Sequence, residues 1–138
     1  IDLRSTLSIV GTQPDTAVSV HLTARILGSA DIPAANAGER VDLMLGTYDV
    51  ANLETDDFNA DFTGTVITAD KPIAVFSGSE AADVPFFDSW LMRDCCADHL
   101  EEQLFPESAM GLRFVAVKTP LRSRVVEDAG WDAAGGPH

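Results

Sequence analysis

Three residues of metal-ligating type fall at intervals of three: Cys96, His99 and Glu102. On a helix that spacing lines side chains along one face. Thiolate, imidazole and carboxylate together would suit zinc or another transition metal. The competing reading is a histidine bonded to backbone with its carboxylates in water. No second cysteine pair stands at zinc-finger spacing, so no transition metal is expected. A second run, Asp57, Asn59 and Asp61, opens as a calcium loop opens, with oxygen side chains at alternate positions. It then departs, because Phe62 stands where an EF-hand needs glycine and Thr68 where it needs glutamate. A looser calcium site and a solvated acidic loop both remain open, and calcium is the one cofactor the sequence brings to mind.

The two cysteines, Cys95 and Cys96, are neighbours. A bond between adjacent cysteines closes a strained ring, so a disulfide involving either one competes with two buried, small, apolar side chains. Phe86, Phe87 and Trp90 form an aromatic group in an irregular stretch. Exposed, they would anchor a partner; buried, they would plug one end of a small core. Catalytic patterns are missing. Ser77-Gly78-Ser79-Glu80 is not a nucleophile elbow, there is no dinucleotide or phosphate-binding glycine loop, and none of His21, His99 and His138 adjoins a serine or cysteine in a recognisable order. No enzyme is expected.

Composition sets the frame for these groups. The 138 residues suit one domain. A chain of this size buries roughly 70% of its unfolded surface, enough for a real core. Nine basic against 22 acidic residues give a net charge of −13. That excludes nucleic acid and anionic membrane as partners, since phosphates must be met by lysine and arginine. No apolar run approaches the ~18 residues of a membrane span, so no membrane insertion is expected. Lys71 and Lys118 are the only lysines, and the acidic, alanine-rich composition reads as a soluble bacterial protein. Ile1 in place of methionine, with no leader pattern behind it, reads as a processed or excised piece.

The elements that must position the candidate groups follow a period of two, which is the strand period. Residues 7–10 and 16–22 read as strands joined by the turn residues Gln13-Pro14-Asp15, as a hairpin would be. Residues 41–45 alternate, and 48–53 could be their partner. Strands are expected again at 63–68, 73–77 and 112–117, where β-branched and aromatic residues gather. Residues 28–40 and 54–61 read as loops. Residues 97–104 carry Leu100 and Leu104 four apart, and one short helix is expected there. About eight short strands, one long irregular loop between Ser77 and Gly111, and no regular helix–strand alternation make an all-β antiparallel sandwich. The domain is expected to span 1–126, with 127–138 a loop or frayed tail.

Two long stretches carry a resemblance. Asp61-Phe62-Thr63-Gly64-Thr65-Val66-Ile67-Thr68-Ala69-Asp70-Lys71-Pro72-Ile73-Ala74-Val75-Phe76-Ser77-Gly78 is one. The other is Asp98-His99-Leu100-Glu101-Glu102-Gln103-Leu104-Phe105-Pro106, followed by Gly111-Leu112-Arg113-Phe114-Val115. Both resemble the IgGFc-binding protein N-terminal domain family, as do residues 7–12 and 16–20, so that the likeness covers roughly residues 5–122. It marks Asp98, His99, Leu100 and Gln103 as family-motif residues. It implies a longer family domain and an extracellular or cell-surface binding or adhesion module without catalysis. The implied partner is a protein or glycoprotein; the alternative is a structural component of a surface layer, stalk or filament that binds copies of itself. Relatives have a cysteine soon after the Phe-Ser-Gly motif and one directly before Asp-His. This chain has Glu80-Ala81-Ala82 and Cys95-Cys96-Ala97 there, which leaves an adjacent Cys95–Cys96 bond as the substitute.

Overall fold

The computed structural model describes residues 4–82, 91, 97–117, 131–132 and 136–137. The chain divides into two compact units, Ile1–Pro106 and Glu107–His138. The first holds seven strands: β1 (Ser5–Gly11), β2 (Thr16–His21), β3 (Arg40–Leu45), β4 (Val50–Glu54), β5 (Val66–Ala69), β6 (Ile73–Ala82) and β7 (Asp98–Gln103). They form two antiparallel sheets, one ordered β4-β1-β6-β7 and the other β3-β2-β5. The all-β sandwich expected from the period of two is what the chain builds.

Alternation explains how the sheets pack. In β1, Leu7 and Ile9 are buried; in β2, Val18 and Val20; in β4, Ala51 and Leu53. Successive side chains point to opposite faces, so each strand gives one row to the shared core. Val41, Leu45, Leu22, Ile26 and Phe62 join that cluster, and Leu43, Ile67, Ile73 and Val75 pack at its margin. Each fully buried aliphatic side chain contributes about 1.5–3 kcal/mol relative to exposure.

The chain changes sheet four times, once through the long connection 55–65 between β4 and β5 and three times at short corners. Residues 12–15 carry it from β1 to β2, 46–49 from β3 to β4, and 70–72 from β5 to β6. These corners interlock. Gly11 N–H donates to Asp49 O (3.0 Å) and Tyr48 N–H to Gly11 O (2.8 Å). Thr12 Oγ1 donates to Pro72 O (2.5 Å), and Lys71 Nζ to the carbonyls of Pro14 and Asp15 (2.6 and 2.8 Å). A Cβ on Gly11 would overlap the carbonyl oxygen of Gly46, so only glycine fits there.

These corners correct two sequence expectations. Residues 7–10 and 16–22 do not pair as a hairpin: β1 lies between β4 and β6, and β2 between β3 and β5. Likewise 41–45 pairs with β2, while 50–54 pairs with β1. The same turn residues serve a tight hairpin and a sheet-crossing corner, so local chemistry does not separate them.

Two further corrections concern the later chain. The helix expected at 97–104 is strand β7. An eight-residue helix is marginal by itself, whereas β6 presents a ten-residue ladder to pair with. The strand expected at 112–117 is irregular and exposed, with Leu112 and Val115 almost fully so. No described strand pairs with it, and alternation makes a strand only where a partner ladder exists. The two sheets therefore hold seven strands rather than eight. The second unit has a 3-10 turn at Glu107–Ala109 and a short antiparallel ladder of β8 (Trp131–Asp132) with β9 (Gly136–Pro137).

Candidate functional site

The Asp98–Gln103 motif forms β7, the outermost strand of the four-stranded sheet. All six of its residues are exposed. It pairs with β6 from Phe76↔Gln103 to Ser79↔Leu100, then shifts register before Ala82↔Asp98. The extra residue is on β6, where Glu80 and Ala81 oppose His99, and a bulge bends the strand that carries it. Gly78 makes the pairing possible. A Cβ there would overlap the carbonyl oxygen of Leu100 and sit 3.1 Å from Glu101 Cα. The glycine of the Phe-Ser-Gly motif thus leaves the room that the β7 backbone occupies, a role that sequence reading did not assign it.

The hydrogen bond from Leu104 N–H to Val75 O (2.8 Å) sets the phase of the ladder. Bonding positions recur at every second residue of an antiparallel pair. Leu100 and Glu102 therefore turn their N–H and C=O groups toward β6, and those of His99, Glu101 and Gln103 turn off the edge. Asp98 Oδ1 accepts the outward His99 N–H at 2.9 Å. The His99 imidazole lies 3.8 Å from the Glu101 carboxylate, as neighbours on one face of a strand do.

The other sequence-predicted residues fall apart from this strand. His99 and Glu102, three apart on a strand, occupy opposite faces and do not converge as they would on a helix. Cys95 and Cys96 lie outside the described residues, as do Phe86, Phe87 and Trp90. Their connection leaves β6 at Ala82 and rejoins at Asp98, two residues paired with each other. Asp57 and Asp61 line an open concavity of about 560 Å³ together with Thr23, Arg25, Asn36 and Thr63. Asp61 Oδ1 there accepts the Thr63 N–H at 2.7 Å, and Asn59 adopts a left-handed φ of 57°. Among the described residues, no three His, Cys, Asp or Glu side chains gather to hold a metal ion.

Several carboxylates elsewhere have partners within the fold. Asp56 meets Arg25 Nη1 at 3.0 Å and Arg4 Nη1 at 3.6 Å. Asp42 Oδ1 accepts the Ser19 hydroxyl at 2.6 Å, and its Oδ2 takes the Arg40 guanidinium at 2.8 Å. The Ser19 hydrogen bond first, and Arg40 after it, hold the Asp42 carboxyl below the usual carboxylate range. Asp42 lines a second open concavity, of about 490 Å³, on the outward face of β2 and β3.

Comparison with known proteins gives two matches. The family model described as IgGFc binding protein matches residues 2–132. A human protein named IgGFc-binding protein is 32% identical over 88 residues, which is 64% of this chain and 1% of the human one. The chain thus spans a very small part of that relative. No solved structure matches it significantly.

Proposed function

This chain belongs to the IgGFc-binding protein family, and from that premise we propose that it is a non-catalytic binding module of an extracellular or cell-surface protein, recognising a protein or glycoprotein partner. One observation carries the reading: the Asp98–Gln103 motif lies on an edge strand with every residue exposed. A motif that served the core would be buried in alternation, as in β1 and β4. Loops and edges held by a rigid sandwich are the usual seats of recognition. Phe86, Phe87 and Trp90 belong to the connection whose two ends meet at Ala82 and Asp98. Aromatic side chains supply much of the energy at such contacts. We assign them the anchoring role, together with His99, Leu100 and Gln103. The human relative's name makes the Fc part of immunoglobulin G the first ligand to try, and mucin glycoproteins and glycans the next.

The test is a binding screen against these three classes at physiological salt, with and without calcium. A saturable partner is expected. Phe87→Ala and Trp90→Ala should abolish its binding while leaving the melting temperature unchanged. A fall in melting temperature would make both residues part of the core and remove them from the site. Silence across the screen from a folded, monodisperse sample would move the chain to a structural role. Calcium dependence lost on Asp57→Asn or Asp61→Asn would add a cation to that acidic loop.

A further inference from the structure

The sandwich has four sheet edges, and they are not equivalent. The outer side of β4 is covered at its C-terminal end by residues 25–27: Leu27 N–H donates to Glu54 O (2.9 Å), and just beyond the strand Asp56 N–H donates to Arg25 O (3.0 Å). β5 has four residues, too few for a long ladder. β3 is six residues long, with Val41 and Leu45 held in the core. β7 is also six residues long, and none of its residues is buried. Its outward backbone groups are those of His99, Glu101 and Gln103, of which the His99 N–H is already taken by Asp98. Among the described residues, no strand pairs with its far side. Rows of open main-chain donors and acceptors are templates for an added strand.

Charge selects what can add. β7 carries Asp98, Glu101 and Glu102 within six residues. A second copy would bring three more carboxylates to the same seam, from a chain whose net charge is already −13. Like charges across a strand pair destabilise it, so the edge is guarded against copies of itself. A basic partner strand meets the opposite situation, because lysine or arginine at alternate positions would share a face with Asp98 and Glu102, or the opposite face with Glu101. The geometry points to β7 as the docking edge for an extended, basic segment of a protein partner, which adds to the four-stranded sheet as a fifth strand. This inference rests on the reading of the chain as a binding module. It names the partner's chemistry at the motif strand: main-chain hydrogen bonds at Glu101 and Gln103, with lysine or arginine side chains beside the carboxylates.

The probes are synthetic peptides added to the whole chain: one alternating lysine with valine and threonine, and the same peptide with alternate backbone amides methylated. The lysine peptide should saturate and should slow hydrogen exchange at the Glu101 and Gln103 amides. Methylation removes the donors a ladder needs and should weaken binding at least about tenfold. Combined Glu101→Lys and Glu102→Lys, at exposed positions where folding is unaffected, should weaken it by about as much. Equal binding by the methylated peptide would reduce the effect to diffuse charge attraction and overturn the proposal. So would protection confined to other strands, or no saturation up to on the order of 1 mM. A partner from the Fc, mucin and glycan screen that binds the doubly reversed variant unchanged would sink the edge while leaving the module standing. A saturating lysine peptide with no partner in the screen would uphold the edge and count against the ligand classes proposed.

Discussion

β4 and β7 flank the same four-stranded sheet and have opposite characters. β4 alternates, with Ala51 and Leu53 in the core, and its C-terminal end is bonded on the outer side to Leu27. Its end is tied down further: Thr55 Oγ1 accepts the Ser5 N–H (3.1 Å) and donates to Ala60 O (3.3 Å), and Arg4 Nη1 donates to Thr55 O (2.6 Å). β7 buries nothing, and in the described structure it is joined to the sheet through β6 alone. One sheet thus has a margin sealed by its core packing and its capped end, and an open one. The sealed margin is where stability resides. The open margin has little stability to lose, so its residues are free to serve recognition.

Leucine truncation should give the largest contrast. Leu53, 1% exposed, and Leu100, 55% exposed, lie on the two margins. Leu53→Ala should cost about 2–5 kcal/mol in chemical denaturation. Leu100→Ala should stay within about 0.5 kcal/mol. Similar costs for both would break the comparison. Gly78→Val comes next, because its side chain would overlap the β7 backbone. Hydrogen-exchange protection should vanish from 98–103 and persist in β1 and β4, at a cost of about 1–3 kcal/mol. Loss of protection in β4 as well would show the two margins to be coupled. Thr55→Val leaves the Ser5 N–H and the Ala60 carbonyl without their side-chain partner. It should cost about 1–3 kcal/mol by thermal or chemical unfolding, without affecting any ligand bound at β7.

The smallest effect tests β3, the other six-residue edge. The folded Asp42 carboxyl is held below its ordinary value of 3.8 by Ser19 first. Its stabilising effect is therefore present above that ordinary value and lost as pH falls through the lowered one. Ser19→Ala should raise the Asp42 pKa in an NMR titration and make the acid side of the stability profile less steep. An unchanged pKa would leave Arg40 as the dominant partner.

Strand positions were legible wherever burial alternates. The rows Leu7 and Ile9, Val18 and Val20, and Val41 and Leu45 all announced themselves by a period of two. Their pairing was not legible, because Ser5↔Ser79 and Thr6↔Glu54 join residues far apart in the chain. A turn such as Gln13-Pro14-Asp15 carries no mark of which sheet comes next. β7 misled for the reverse reason. Leu100 and Leu104, four apart, share a face on a helix and also on a strand, since four is even. Both are substantially exposed, at 55% and 45%, so their spacing reported no core at all. The motif Asp98-His99-Leu100 was visible as a resemblance, but its place on an open edge depends on the β6 ladder and on Gly78. The aromatic and cysteine candidates, at 86–96, lie outside the described residues.

β1 occupies the middle of its sheet, between β4 and β6. Its ladder to β6 joins Gly11 to Ile73 and Ser5 to Ser79. During synthesis this strand leaves the ribosome before β6 and waits for residue 79 before its second side is closed. Long-range pairing of this kind gives a high contact order and slow folding. Until then, the alternating Leu7-Ser8-Ile9-Val10 run is itself an unguarded edge and an aggregation hazard. The acidic character of the chain, −13 when complete, opposes such pairing, because repulsion keeps neighbouring chains apart.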